Sequence, residues 1–184
     1  MDKHTDEELV GLIRAGDKDL YGEIVRRYQT KLTHYLRKFF VDQDRLEDVL
    51  QDVFIKTYHN LYGFDIQKTF SPWIYRIAHN EAVNQLKKYS KEVINLDDAE
   101  WEIVDKNIDL DGAVDREILS RSMQKVMVKM KTKYREPLIL YFFEEKSYDE
   151  ISEILRIPRT TVGVRIMRAK NILKEFLSKE TYGK

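Results

Sequence analysis

The sequence predicts an all-α protein made of two small helical domains joined by an acidic linker. Three observations predict it. Apolar residues recur at helical spacing through two long stretches. An S/T-x-x-E capping box opens a helix in each half, Thr5 with Glu8 and Ser147 with Glu150. Between the halves, residues 91–117 show no sustained period and a strong acidic bias, which reads as a linker. The expected division is a first domain over 1–90, a linker over 91–117 and a second domain over 118–184.

Taken in order, the Thr5 box starts a short helix carrying Leu9, Leu12 and Ile13, which Gly16 ends. Asp17 is placed to cap a second helix with Leu20, Ile24, Val25, Tyr28, Leu32, Tyr35, Leu36 and Phe39 at helical spacing. After a turn at Asp42 and Asp44 comes a third stripe, Leu46, Val49, Leu50, Val53, Phe54 and Tyr58. Its other face, with Asp48, Gln51, Asp52, Lys56 and His59, is expected outside. From Leu61 the pattern breaks into an aromatic-rich loop, and Ser71 as N-cap with Pro72 as first helical residue predicts a fourth helix.

In that fourth helix Ile74, Ile77, Ala78, Ala82 and Leu86 point inward. Arg76, Asn80, Asn84, Lys87 and Lys88 share the opposite face, with Trp73 at its start. Aromatic rings, amides and cations on one surface suit single-stranded nucleic acid: rings stack on unpaired bases, amides bond base edges, and cations neutralise phosphate. The same rings of Phe64, Phe70 and Trp73 would equally serve to close the bundle core. Helical periodicity resumes at Ile118, Leu119, Met123, Val126, Met127 and Met130, and Pro137 is expected to start the next helix, with Leu138, Leu140, Tyr141 and Phe142. The Ser147 box then opens a short helix with Ile151, Ile154 and Leu155. After a break at Arg156, Ile157 and Pro158, a basic amphipathic helix runs through Val162, Ile166, Ala169, Ile172 and Leu173.

Helix, tight turn, basic helix is the helix-turn-helix pattern, whose second helix enters a DNA major groove. Taken alone it serves a plain helical hairpin as well. Charge adds weight to the DNA reading. Residues 1–90 carry 14 basic and 14 acidic side chains, 91–117 carry 3 and 10, and 118–184 carry 15 and 8, for nets of 0, −7 and +7. The C-terminal segment is a basic module behind an acidic connector, so a polyanionic partner is expected there.

Other classes find no support. There are no cysteines, which excludes disulfides, thiol catalysis and Cys-ligated zinc and fits a reducing, cytoplasmic setting. No apolar run is long enough to span a bilayer, and the acidic start MDKHTDEELV is not a secretory signal. His4, His34, His59 and His79 are scattered without metal-ligand spacing and read as surface or core-edge residues. The glycines fall singly, outside any phosphate-binding loop, and no serine lies in a nucleophile-elbow context. No metal, cofactor or enzymatic activity is expected.

Three segments in this order carry a resemblance to one family. LEDVLQDVFIKTY (46–58), FSPWIYRIAHNEAVNQLKK (70–88) and YREPLILYFFEEKSYDEISEILRIPRTTVGVRIMRAKNIL (134–173) resemble regions 2.2, 2.3–2.4 and 4 of the extracytoplasmic-function (group 4) sigma factors of bacterial RNA polymerase. The resemblance spans about Leu9 to Leu177. It implies that Asp48, Gln51 and Asp52, at i, i+3 and i+4 and joined by Lys56, meet the clamp coiled coil of the polymerase's largest subunit. It implies that Phe64, Phe70, Trp73, Arg76, Asn80, Asn84, Lys87 and Lys88 read the −10 element as melted single strand with a flipped base. Arg159, Thr160, Thr161 and Arg165, with Arg168 and Lys170 on phosphate, would read the −35 element as duplex.

By the same resemblance the linker would thread the RNA exit channel, where an acidic chain mimics nascent RNA, and an anti-sigma factor would hold the two DNA-binding domains. Arg156 and Thr160 stand where the family often has Gly, Ser152 where it has Ala, and Gly163 where Lys or Ser is common. Two other classes remain open on the residues alone: a stand-alone helix-turn-helix regulator and a helical interaction protein with no DNA role.

Overall fold

Both capping boxes form. Thr5 Oγ1 accepts the Glu8 N–H at 3.2 Å while the Glu8 carboxylate accepts the Thr5 N–H at 2.9 Å, and Ser147 and Glu150 repeat the exchange at 3.2 and 2.8 Å. These reciprocal bonds satisfy donors that a helix start would otherwise leave orphaned. The computed structural model describes residues 4–40, 42–92 and 130–182. Among them every regular element is helical: α1 (Asp6–Arg14), α2 (Tyr21–Leu36), α3 (Gln43–Asn60), α4 (Phe70–Glu92), α5 (Thr132–Phe142), α6 (Tyr148–Leu155) and α7 (Arg159–Tyr182), with 3₁₀ turns at Lys18–Leu20 and Leu61–Gly63. The linker expected over 91–117 lies, past the end of α4, outside the described residues, as does the helical stretch expected over 118–129.

The chain divides into two compact units. The N-terminal unit carries α1–α4, and α2 packs against α1, α3 and α4 while α3 packs along α4. Its core is made largely by the predicted stripes, Leu9 and Ile13 of α1, Ile24, Tyr28, Leu32, Tyr35 and Leu36 of α2, Leu46, Val49, Leu50 and Val53 of α3, and Ile74, Ala78 and Ala82 of α4, joined by Val10 and Tyr75, while Leu12 of the expected α1 stripe is exposed. Burying each larger side chain contributes roughly 1.5–3 kcal/mol, so this shared interior is what holds the unit together. Gly16, at φ +121°, supplies the left-handed turn that ends α1, as its position predicts.

Three starts differ from expectation. Asp17 makes no side-chain cap, and a 3₁₀ turn intervenes before α2. Helix α4 begins at Phe70 rather than after a Ser71 cap, because Glu7 Oε1 of α1 accepts the Phe70 N–H at 2.8 Å. A cap supplied from another helix leaves no trace in local sequence. Pro137 lies inside α5 rather than at its start. It forgoes the bond to the Lys133 carbonyl, a loss offset by its burial beside Leu138, Ile139 and Leu140.

In the C-terminal unit α5 packs along α7 around Met130, Leu138, Ala169 and Leu173, with Tyr134, Ile172 and Phe176 at the margin. The turn from α6 to α7 places Arg156 in the left-handed region at φ 52°. Its N–H bonds back to the Ser152 carbonyl, and Ser152 Oγ donates to the Ile157 carbonyl at 2.6 Å. Ser152 thus staples a turn that runs through a left-handed arginine.

Candidate polymerase and nucleic-acid interfaces

The outward face of α3 is the first candidate surface. Asp42 caps the helix, accepting the Asp44 and Arg45 N–H groups at 3.0 and 3.3 Å. With Leu46, Val49, Leu50 and Val53 turned inward, Asp48 and Gln51 are exposed and Asp52 is half-buried, as their spacing requires. Ile55, 48% exposed, lies three residues beyond Asp52 and four beyond Gln51, so an apolar side chain sits within this acidic patch. The polar residues around it mask it in the sequence, where its position off the core stripe is the one signal of its exposure.

Lys56 also has a partner within the bundle. Its ammonium pairs with the carboxylate of Glu81 on α4, a side chain that is almost fully buried. A buried carboxylate demands a partner, so Lys56 clamps α3 to α4 while its own side chain stays 49% exposed.

The second candidate surface is the loop between α3 and α4 with the exposed edge of α4. Arg14 of α1 shapes it: Nε donates to the Leu61 carbonyl at 2.8 Å and Nη2 to the Leu61 and Phe64 carbonyls. One guanidinium therefore satisfies backbone acceptors in the turn that launches the loop. Asn80, Asn84, Lys87 and Lys88 are exposed along α4 and Arg76 is half-buried.

The aromatic expectation requires correction. Phe64, Phe70 and Trp73 are buried, with exposures of 4, 0 and 9%, and lie against one another at ring-centroid distances of 5.1–5.4 Å. Phe70 also meets Tyr28 at 5.6 Å. Such ring clusters gain both apolar burial and edge-to-face attraction, so the core claims them and covers the faces that a base would need. The large hydrophobic side chains this loop does present are Tyr62, 74% exposed, and Ile66, 47% exposed, among the exposed polar residues Asp65, Gln67, Lys68 and Thr69. Neither was singled out by sequence, because nothing local distinguishes Tyr62 from its aromatic neighbours. His79 is on the α4 face turned toward α2, where its Nδ1 shares a hydrogen bond with the Tyr35 hydroxyl at 3.0 Å. Burial pushes its pKa down to about 4, which keeps the ring neutral.

The third candidate surface is α7. Arg159 pairs with Asp149 of α6 at 2.9 Å, both side chains being largely exposed. Thr160 is exposed and Thr161 half-buried. Arg165 is half-buried and lies near Glu136 of α5, whose carboxyl is pushed up to about 7 by burial against the opposing charges of Arg135 and Arg165. Arg168 Nη1 donates to the Tyr134 hydroxyl at 3.3 Å, and Lys170 Nζ lies 5.1 and 5.2 Å from the Tyr141 and Phe142 ring centroids. So several cations expected on DNA lean on α5 here, through hydrogen bonds and cation–π attraction. Exposed attachments of this kind are weak, and a phosphate competes with them readily. No group of residues among those described could hold a metal ion, and no described helix is long and apolar enough to cross a membrane.

A helical unit with an acidic outer face and an amide- and cation-bearing edge, together with a capped helix-turn-helix, fits the class of DNA-directed transcription proteins. Comparison with known proteins gives the class its family. Residues 24–92 match the family model for sigma-70 region 2, and residues 120–173 match that for sigma-70 region 4. The chain is 32% identical to the ECF RNA polymerase sigma factor SigW of Bacillus subtilis over 174 residues, 90% of this chain and 92% of that protein. It is 31% identical to the ECF RNA polymerase sigma-E factor of Haemophilus influenzae, over 92% of this chain and 94% of that one. Its fold matches the Bartonella quintana sigma factor RpoE, solved in complex with the anti-sigma factor NepR. There the TM-score is 0.70 at 21% identity, with 86% of this chain and 96% of that chain covered. The chain belongs to the sigma-70 family, among its extracytoplasmic-function sigma factors, which sets aside the stand-alone regulator.

Proposed function

We propose that this sigma factor joins core RNA polymerase through the outward face of α3, with Asp48, Gln51 and Asp52 meeting basic residues of the clamp coiled coil and Ile55 packing at their centre. Lys56, paired with Glu81 yet half-exposed, borders that face. The observation that carries the reading is the separation of surfaces on one bundle: α3 turns out acidic residues, while the adjacent α4 edge turns out amides and cations. An acidic face repels DNA and attracts a basic protein; the α4 edge does the reverse.

On the second surface Asn80, Asn84, Arg76, Lys87 and Lys88 follow the melted −10 strand, and Tyr62 takes the stacking role that the buried rings cannot. The helix-turn-helix reads the −35 duplex through Thr160, Thr161 and the cations of α7. In domain terms, residues 1–90 form the region 2 module and 118–184 the region 4 module, with the acidic 91–117 linker between them in the RNA exit channel. The protein acts by binding, without catalysis of its own, in the cytoplasm, and an anti-sigma factor that covers its DNA-binding domains holds it inactive.

Transcription with purified core polymerase on a promoter library tests this reading. The chain is expected to confer promoter-selective initiation, and core alone is not. Asp48→Lys with Asp52→Lys is expected to remove core binding by at least tenfold, the effect of placing like charges across a protein interface. Unselective initiation by the reconstituted enzyme would refute the sigma reading. Unchanged core affinity in the double variant would refute the assignment of α3.

A further inference from the structure

Helix α7 buries Val162, Ile166, Ala169 and Leu173, which mark its inward stripe. At roughly 100° per residue, the opposite face is Thr160, Val164, Met167, Arg168 and Asn171, all exposed. Two of these are apolar: Val164 is 44% exposed and Met167 57%. Val164 is the sixth residue of α7, within its first two turns, where a helix-turn-helix meets base edges. The cations around it have partners within the unit. Arg159 is drawn to Asp149, Arg165 lies by Glu136, Arg168 bonds Tyr134 and Lys170 rests over the α5 rings. Arg159, Arg165 and Lys170 flank the outward face and Arg168 stands at its edge, a placement suited to phosphates on either side of a groove.

We infer that Val164 is a specificity-determining residue that reads the C5-methyl group of a thymine in the −35 duplex. A β-branched apolar side chain on an exposed helix face adds neither helix propensity nor core burial. Seated in a major groove between phosphate-bound cations, its two methyl groups meet the only apolar group that a base pair displays there, which belongs to thymine. The inference rests on the sigma reading and deepens its −35 arm.

The test uses holoenzyme reconstituted from the full chain and core polymerase, on a promoter the library selects. Each thymine of the −35 element, on either strand, is replaced singly by deoxyuridine, which lacks only the methyl group, and competition binding is measured. One position is expected to weaken binding by wild-type holoenzyme roughly fourfold, the equivalent of one buried methylene. Val164→Ala is expected to lose a similar factor on the unmodified promoter and to be indifferent to deoxyuridine at that position, while Met167→Ala keeps the discrimination. Circular dichroism of the free variants is expected to match wild type, since Val164 is outside the core. Indifference of wild-type holoenzyme to every deoxyuridine, or the same discrimination in Val164→Ala, overturns the inference while leaving promoter selectivity intact. Failure to select any promoter overturns the sigma reading with it.

Discussion

The two units are both small and helical, yet they hold themselves together differently. The N-terminal unit is cross-linked by polar groups that reach between helices. Arg14 binds the carbonyls of the α3–α4 turn, Glu7 caps α4, and Asp6 accepts from Arg27 at 2.7 Å and from the Tyr28 hydroxyl at 2.5 Å. Lys56 and Glu81 join α3 to α4. In the C-terminal unit, α7 reaches α5 with exposed side chains, through a long hydrogen bond from Arg168 to Tyr134 and a lysine over two rings. A unit that must present a loop in one fixed conformation has its loop braced from behind. A unit that must seat one helix in a groove needs only a packed rear face and side chains that can be released to phosphate.

The sharpest way to break this comparison is to remove the brace. Arg14→Ala takes the guanidinium from the Phe64 carbonyl and leaves the Leu61 carbonyl only the Phe64 N–H at 3.1 Å. It is expected to destabilise the N-terminal unit by about 3 kcal/mol, while Arg168→Ala in the other unit costs less than about 1 kcal/mol. Denaturant unfolding followed by residue-resolved hydrogen exchange separates the units. Equal losses would show that the polar cross-links carry no special weight.

The units also respond oppositely to pH. His79, ordinarily near 6.5, is held down to about 4. The stability this reflects is present above 6.5 and is lost as pH falls from 6.5 toward 4. Glu136, ordinarily near 4.5, is held up to about 7. Its protonated form is the one the fold favours, so that stability is present below 4.5 and is lost as pH rises from 4.5 to 7. Each effect is expected to be on the order of 2 kcal/mol, allowing for the solvent that both side chains still touch. Hydrogen exchange between pH 4.5 and 8 should show the N-terminal unit strengthening and the C-terminal unit weakening. Glu136→Gln should flatten the second slope alone.

Smaller effects sharpen the account of the helix-turn-helix. Arg156→Gly relieves a left-handed non-glycine residue and is expected to raise stability by about 1 kcal/mol. Gly163→Ala is expected to add a little less, because the new Cβ meets Tyr148 Cε2 at 3.5 Å, an ordinary contact, and gains helix propensity. Thermal melts of the two variants check both. A fall in melting temperature for Gly163→Ala would mean that α6 and α7 have no room to spare.

Much of this was legible in the residues. The helices, both capping boxes, the turn at Gly16 and the inward stripes of α2, α3 and α7 follow from periodicity and from side chains within four residues of the groups they satisfy. The outward positions of Asp48, Gln51, Asn80, Asn84 and Thr160 follow from the same spacing, since whatever is opposite a buried stripe is exposed. The order of three motifs was enough to point to the family.

What the sequence alone could not assign were partners distant along the chain. Whether Phe64, Phe70 and Trp73 faced a base or the core depended on Tyr28 arriving from another helix. Whether Lys56 was paired within the bundle depended on Glu81, and where α4 began depended on Glu7. Local pattern determines which face of a helix is apolar, because that face is set by a 3.6-residue repeat the chain carries within itself. Which polar group satisfies which, and which aromatic ring is covered, is decided by the packing of one helix on another, because burial removes the water that would otherwise serve as partner.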